Sequence, residues 1–224
     1  MGCPEMKLQG ICFDMDGVLT DTENLSSRML NLACRRQGFE LPPAAWMSVI
    51  GTSLEHTCRF IRSRHPDFDC KQFQKDWSEV TFQYVEQNGV PVKQGAEEVL
   101  QSLTALGFRL ALCTNNIPSV VHRYLDILKW KPYFQVVLTS HDVIRRKPDP
   151  ETYLRACQLL DLTPQVCIGI EDSPSGIKAV HTSGMTCIHI PDLIVLPKEY
   201  SIYVDVSLTS LQEILTWIKT SRKE

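Results

Sequence analysis

The sequence predicts an α/β protein: a parallel sheet covered by helices on both faces, interrupted once by an all-helical insertion. Three observations carry this. Short apolar runs of strand length alternate with longer stretches that have helical spacing. The runs are almost continuously apolar and rich in Val, Ile, Leu and Cys, as strands buried on both faces are. From about Thr22 to Val92 the alternation stops and no good strand can be found.

The strands are expected at residues 8–13, 109–113, 135–139, 166–170, 186–190 and 202–206. Helical spacing marks residues 95–106, 119–128, 151–160 and 175–183 between them. Gly107 and Gly184 stand where two of these helices should stop. In the insertion, residues 25–37, 53–64 and 71–87 read as helices. Pro42-Pro43, Gly51-Thr52-Ser53 and His65-Pro66-Asp67 break them. The organisation expected is therefore a core of residues 1–21 and 93–224 around an insertion of residues 22–92. The charged tail, residues 219–224, is expected to fray.

Bulk properties narrow the function classes. A chain of 224 residues can form one core domain with a small insert. With 43% hydrophobic and 22% charged residues it has ordinary globular composition. The formal net charge is -3 and no basic stripe occurs, so nothing points to nucleic acid. No apolar run is long enough to span a bilayer. The N-terminal segment lacks an apolar signal core, and Met6 stands where a myristoylation signal needs Ser or Thr. The nine cysteines are scattered without a Cys-x-x-Cys pair. They are expected to be reduced thiols of a cytoplasmic protein, several of them, such as Cys12, Cys113, Cys167 and Cys187, buried in apolar runs. Trp46, Trp77, Trp130 and Trp217 are assigned to packing.

Ligands of open α/β sheets bind beyond the carboxyl ends of the strands. Asp14-Met15-Asp16-Gly17 follows the first expected strand, Thr114-Asn115-Asn116 the second, and Glu171-Asp172-Ser173 the fourth. The third is followed, after a loop, by Arg145-Arg146-Lys147-Pro148. Carboxylates at Asp14, Asp16, Glu171 and Asp172 would repel one another in a cleft of reduced dielectric. A hard divalent cation relieves that repulsion, and oxygen ligands that leave room for water and phosphate suit Mg²⁺. Lys147 and the Thr114 hydroxyl would complete a phosphate site, since phosphoryl transfer is catalysed mainly by positioning and charge stabilisation. Two carboxylates at i and i+2 can divide the work, one as nucleophile and one as general acid and base. Taken singly, each pair also reads as a turn or a helix N-terminus; the joint placement at strand ends is what argues for a site.

These segments resemble the four motifs of the haloacid dehalogenase-like phosphatase superfamily. Asp14-Met15-Asp16-Gly17-Val18-Leu19-Thr20-Asp21-Thr22 matches the first, Thr114 the second, Lys147 the third and Glu171-Asp172 the fourth. The run Gly169-Ile170-Glu171-Asp172-Ser173-Pro174-Ser175-Gly176-Ile177 is a specific signal. The resemblance is strongest to the branch of β-phosphoglucomutase and small-metabolite phosphatases. It implies a Rossmann-like core with a helical cap in place of the insertion. It also implies Asp14 as nucleophile and metal ligand, and Asp16 as general acid and base that lends the metal its carbonyl. Thr114, Lys147 and the Asn115 amide would hold phosphate, and Glu171 with Asp172 would complete the Mg²⁺ site. Dehalogenases of the superfamily lack the second acid that Asp16 provides.

The mutase-like members carry a His after the Asp-Thr pair and an Arg in the first cap loop. Here Glu23-Asn24-Leu25-Ser26-Ser27 has no His, and Leu54 stands where the Arg would fall. A mutase needs a cation for the distal phosphate of its intermediate, which here only Arg59, Arg62 or Arg64 could supply from another position, so hydrolysis of a small phosphorylated metabolite is expected ahead of a phosphosugar mutase. A binding or regulatory protein that has lost turnover is the third reading, against which every catalytic position is filled. Substrate choice is expected to rest with Thr52, Ser53 and His56, with Glu55 beside them, since the cap closes over the leaving group. A monomer is expected because such a cap closes the site without a partner subunit.

Overall fold

In chain order the elements are β1 (Gly10–Phe13), α1 (Thr22–Arg36), α2 (Leu54–Arg62), α3 (Cys70–Asn88), α4 (Ala96–Ala105), β2 (Arg109–Cys113), α5 (Pro118–Leu128), β3 (Val136–Leu138), α6 (Glu151–Leu160), β4 (Cys167–Glu171), α7 (Pro174–Ser183), β5 (Thr186–His189), β6 (Val206–Ser207) and α8 (Glu213–Ser221). They come from a computed structural model, which describes residues 8–42, 45, 48–49 and 54–221. The chain forms two compact units. One joins the segment up to Thr20 with the segment from Val92 onward; the other is Asp21–Pro91.

The α/β unit is built on a six-stranded sheet in the order β3-β2-β1-β4-β5-β6, with every pairing parallel. Gly10 to Phe13 and Cys167 to Glu171 are wholly buried, as strands with helices on both faces must be. The chain runs outward from β1 to β3, then returns to start β4 on the other side of β1. This reversal is the topological switch point, where the loops after β1 and β4 part to opposite sides and leave a crevice. Ladder bonds extend past the strands into those loops: Asp14 N–H donates to Ile170 O at 3.0 Å, and Thr114 N–H to Leu138 O at 3.0 Å. The residues just past the strands are thus held almost as rigidly as the sheet.

Two elements differ from the sequence reading. Of the run at residues 202–206 only Val206 joins the sheet; Lys198–Tyr203 forms a 3-10 helix instead. Pro197, with φ of -60°, sets the chain for that helical turn. The part of the tail expected to fray, Lys219 to Ser221, continues α8. Ile214 and Ile218 bury themselves completely and anchor that helix.

The helical unit has its own core. Leu30, Ala33 and Cys34 of α1 meet Ile61 of α2 and Phe73 of α3, with Leu41 and Phe68 from the connections. Asp69 caps α3 by accepting hydrogen bonds from the backbone of Lys71 and Gln72. The structure corrects the expectation of nine reduced thiols: Cys58 and Cys70 are disulfide-bonded, with Cα atoms 5.7 Å apart. A spacing of 12 residues does not show proximity; the turn at His65-Pro66-Asp67 creates it by setting the start of α3 against α2. Cys12, Cys34, Cys113, Cys157, Cys167 and Cys187 are free and buried. Among the described residues no helix is long and apolar enough to cross a membrane.

Candidate active site

The strand ends at the switch point bring one lysine and several acids together. Asp14 leaves β1 with 8% exposure, and Glu171, the last residue of β4, is wholly buried. Lys147 reaches both from the loop between β3 and α6: its Nζ lies 2.6 Å from Asp14 Oδ1, 2.6 Å from Glu171 Oε1 and 2.6 Å from the Cys113 carbonyl. Three acceptors match the three donors of an ammonium group. Burial works against the charge on Lys147, but Asp14 and Glu171 outweigh it and raise the pKa, so the lysine stays protonated. Burial pushes the Asp14 carboxyl well up, Lys147 pulls it down, and Glu171 and Asp16 push it up further.

Glu171 is almost fully engaged. Besides Lys147, Oε1 accepts from Tyr153 Oη at 2.6 Å, and Oε2 accepts from Ser173 Oγ at 3.1 Å. Burial, then Glu171 and Asp14, raise the Tyr153 pKa, which keeps the phenol a donor. Counting about four lone-pair directions on a carboxylate, one remains, on Oε2. Ser173 also caps α7, accepting from Gly176 N–H at 3.1 Å. Gly176 makes this packing possible, because a Cβ there would fall 1.9 Å from the Glu171 carboxyl carbon.

The loop after β1 turns back at Gly17, whose φ is +82°. A Cβ on Gly17 would lie 2.4 Å from Asp172 Oδ2, so the Asp172 carboxylate rests directly on the glycine. Asp14, Glu171 and Asp172 each offer an oxygen, and these atoms lie within 4.8 Å of one another. Asp16 adds its charge to Asp14, while Lys147 pairs with only two of the four carboxylates, Asp14 and Glu171. That excess of hard oxygen donors fits a divalent cation, and the Gly17 cradle leaves their approach open.

Asp16 is partly exposed and accepts from Asn116 Nδ2 at 3.3 Å. Thr114 is buried; its Oγ accepts from Asn116 N–H at 3.0 Å, which turns the hydroxyl proton away from that bond. Asn115 is exposed and its Oδ1 accepts from Lys147 N–H at 3.3 Å. Arg145 and Arg146 are exposed. His56 is an exposed residue of α2 in the helical unit. Thr52 and Ser53, with Gly51 and Trp46, lie outside the described residues. Sequence reasoning missed Tyr153, Asn116 and Ser173. Tyr153 carries no local signal, since only the docking of α6 against the site reveals it. Ser173 and Asn116 directly follow motif residues and could have been named.

The structure thus gathers Asp14, Lys147, Glu171 and Asp172 at the switch point of a parallel sheet. Haloacid dehalogenase-like hydrolases match the chain over residues 11–190. Hexitol phosphatase A of Escherichia coli is 30% identical over 93% of this chain and 94% of its own length. Phosphoglycolate phosphatase of Nitrosospira multiformis is 26% identical over 83% of this chain and 84% of its own. In structure, CbbY of Rhodobacter sphaeroides in complex with phosphate superposes with a TM-score of 0.80 at 23% identity, over 92% of this chain and 96% of that one. The β-phosphoglucomutase of Clostridium difficile gives 0.74 at 19% identity, over 97% and 100%. The protein belongs to the haloacid dehalogenase-like hydrolases. Within them it is a phosphoric monoester hydrolase.

Proposed function

We propose that the protein is a Mg²⁺-dependent phosphatase that hydrolyses a small phosphorylated metabolite through an aspartyl-phosphate on Asp14. The observation that carries this reading is the buried Asp14 carboxylate, fixed by Lys147 at 2.6 Å and grouped with Asp172 and Glu171 at the end of the central strand. Asp14 and Asp172, the carbonyl of Asp16 and the remaining lone pair of Glu171 would hold Mg²⁺. When bound, the ion supplies positive charge that offsets the repulsion between the Asp14 carboxylate and an incoming phosphate.

The chain's own groups account for the two halves of the reaction. A carboxylate oxygen of Asp14 attacks phosphorus, and the bond from phosphorus to the ester oxygen breaks. Asp16 gives that leaving oxygen a proton. Asp16 then takes a proton from water, whose oxygen attacks the aspartyl-phosphate. The phosphorus–Asp14 bond breaks, phosphate leaves, and both acids return to their starting states. Lys147, exchanging one of its three protein acceptors for a phosphate oxygen, holds the phosphate together with Thr114 and the Asn115 amide, and Asn116 donates to Asp16. Hydrolysis is favoured over isomerisation because Glu23 to Ser27 contains no His and Leu54 replaces the expected cation.

Hexitol phosphatase A and phosphoglycolate phosphatase, by their names, act on small phosphorylated compounds, which supports that substrate class here. The test is phosphate release from a panel of hexitol, sugar, glycolytic and nucleoside monophosphates, with Mg²⁺ and with chelator. Metal-dependent release from at least one is expected, and Asp14→Asn should abolish it while the circular dichroism spectrum stays unchanged. No release across the panel, or full activity in Asp14→Asn, would sink the proposal. Conversion of a hexose 1-phosphate to the 6-phosphate without free phosphate would establish the mutase instead.

A further inference from the structure

We infer that Asp192 is a positioning carboxylate of the cation site, holding a water of the bound ion's hydration shell through Oδ2. The inference rests on the Mg²⁺ reading above and extends the site to a fifth strand. Asp192 follows β5, at the same edge of the sheet as Asp14 and Asp172. Its side chain is 7% exposed. One oxygen, Oδ1, is ion-paired with Lys93 Nζ. The other, Oδ2, is buried and has no hydrogen-bond partner among the described residues. A buried carboxylate oxygen without a donor is unfavourable, and folded proteins retain one chiefly where an ion or water completes it.

Gly17 shows where that oxygen points. The Cβ position that Gly17 leaves empty lies 2.4 Å from Asp172 Oδ2 and 3.1 Å from Asp192 Oδ2. Both carboxylates therefore rest on one glycine of the loop that carries Asp14 and Asp16. Asp172 belongs to the group of three acids whose oxygens lie within 4.8 Å of one another, whereas Asp192 falls outside that group. It is placed for contact across one water and not for direct ligation. Mg²⁺ keeps several of its waters in protein sites, so such a carboxylate has a water to hold. Lys93 makes the arrangement stable: it balances the added charge and fixes Oδ1. Its own backbone N–H donates to Leu19 O at 3.0 Å in the same loop.

The test compares the full-length wild type with Asp192→Asn, titrated calorimetrically with Mg²⁺ and with Mn²⁺ in the absence of substrate. Asn keeps the shape and can still accept from Lys93. Its affinity for both ions should fall about 10- to 100-fold, with the far-ultraviolet spectrum and melting temperature unchanged. If Asp192→Asn does not fold, Asp192→Ser should show the same loss. Equal affinities in a folded variant and the wild type would overturn the inference alone. Absence of ion binding by the wild type would overturn the Mg²⁺ reading, and this inference with it.

Discussion

At the residue scale, two contacts decide whether Lys147 can serve the site. Glu171 holds it, and Tyr153 and Gly176 in turn hold Glu171. Replacing Gly176 by Ala would drive a Cβ into the Glu171 carboxyl group, which must then swing away and release Lys147. Phosphate release by Gly176→Ala should fall about 100-fold, as a misplacement of roughly 1 Å in a catalytic constellation does. Tyr153→Phe removes one donor from a wholly buried carboxylate. It should lower stability by about 1.5–3 kcal/mol, the scale of a hydrogen bond to a charged group, measured by urea unfolding. Stability within about 0.5 kcal/mol of wild type would show that Glu171 does not depend on Tyr153. Neither contact was legible in the sequence. Gly176 could be seen within a family-like run, but its reason is steric and appears only when α7 starts beneath the Glu171 side chain.

At the scale of elements, the helical unit relies on a staple that its composition did not announce. Cys58 lies on α2 and Cys70 opens α3, so the disulfide ties the two helices across the 65–67 turn. For a closed loop of this length the chain-entropy model gives about 3 kcal/mol of stabilisation. Dithiothreitol, or the double variant Cys58→Ser with Cys70→Ser, should therefore lower the melting temperature of this unit. Identical scanning-calorimetry traces with and without reductant would contradict it. The strands show the opposite case. Residues 109–113 could be bounded from sequence because the burial of Leu110 to Cys113 leaves a sharp compositional edge, and the helix at 151–160 because its buried and exposed positions alternate at helical spacing. The run at 202–206 could not, because an edge strand is only half covered and local turn chemistry at Pro197 competes with pairing.

At the scale of the whole molecule, the acids are an electrostatic load that an ion should convert into stability. An ion that binds only the folded state adds about 2.7 kcal/mol at a hundred times its dissociation constant. For a chain of this size that corresponds to a rise of roughly 5–10 °C in melting temperature. The rise should belong to the α/β unit, disappear with chelator, and be lost in Asp172→Asn. A wild-type melt that Mg²⁺ leaves unmoved would remove the ion from the site.

The sequence by itself determined which strands exist and what stands at their ends. Apolar runs specify buried parallel strands, and ligands gather where such strands stop, so Asp14, Thr114, Lys147 and Glu171-Asp172 could be brought together without coordinates. Only the tertiary structure decided how those groups are held. The lysine's three acceptors, the phenol behind Glu171, the glycines under two carboxylates, the Asp192 oxygen beside Gly17 and the Cys58–Cys70 bond all join residues far apart in the chain or across a turn. Such contacts depend on the packing of side chains from different elements, which no local pattern of residues encodes.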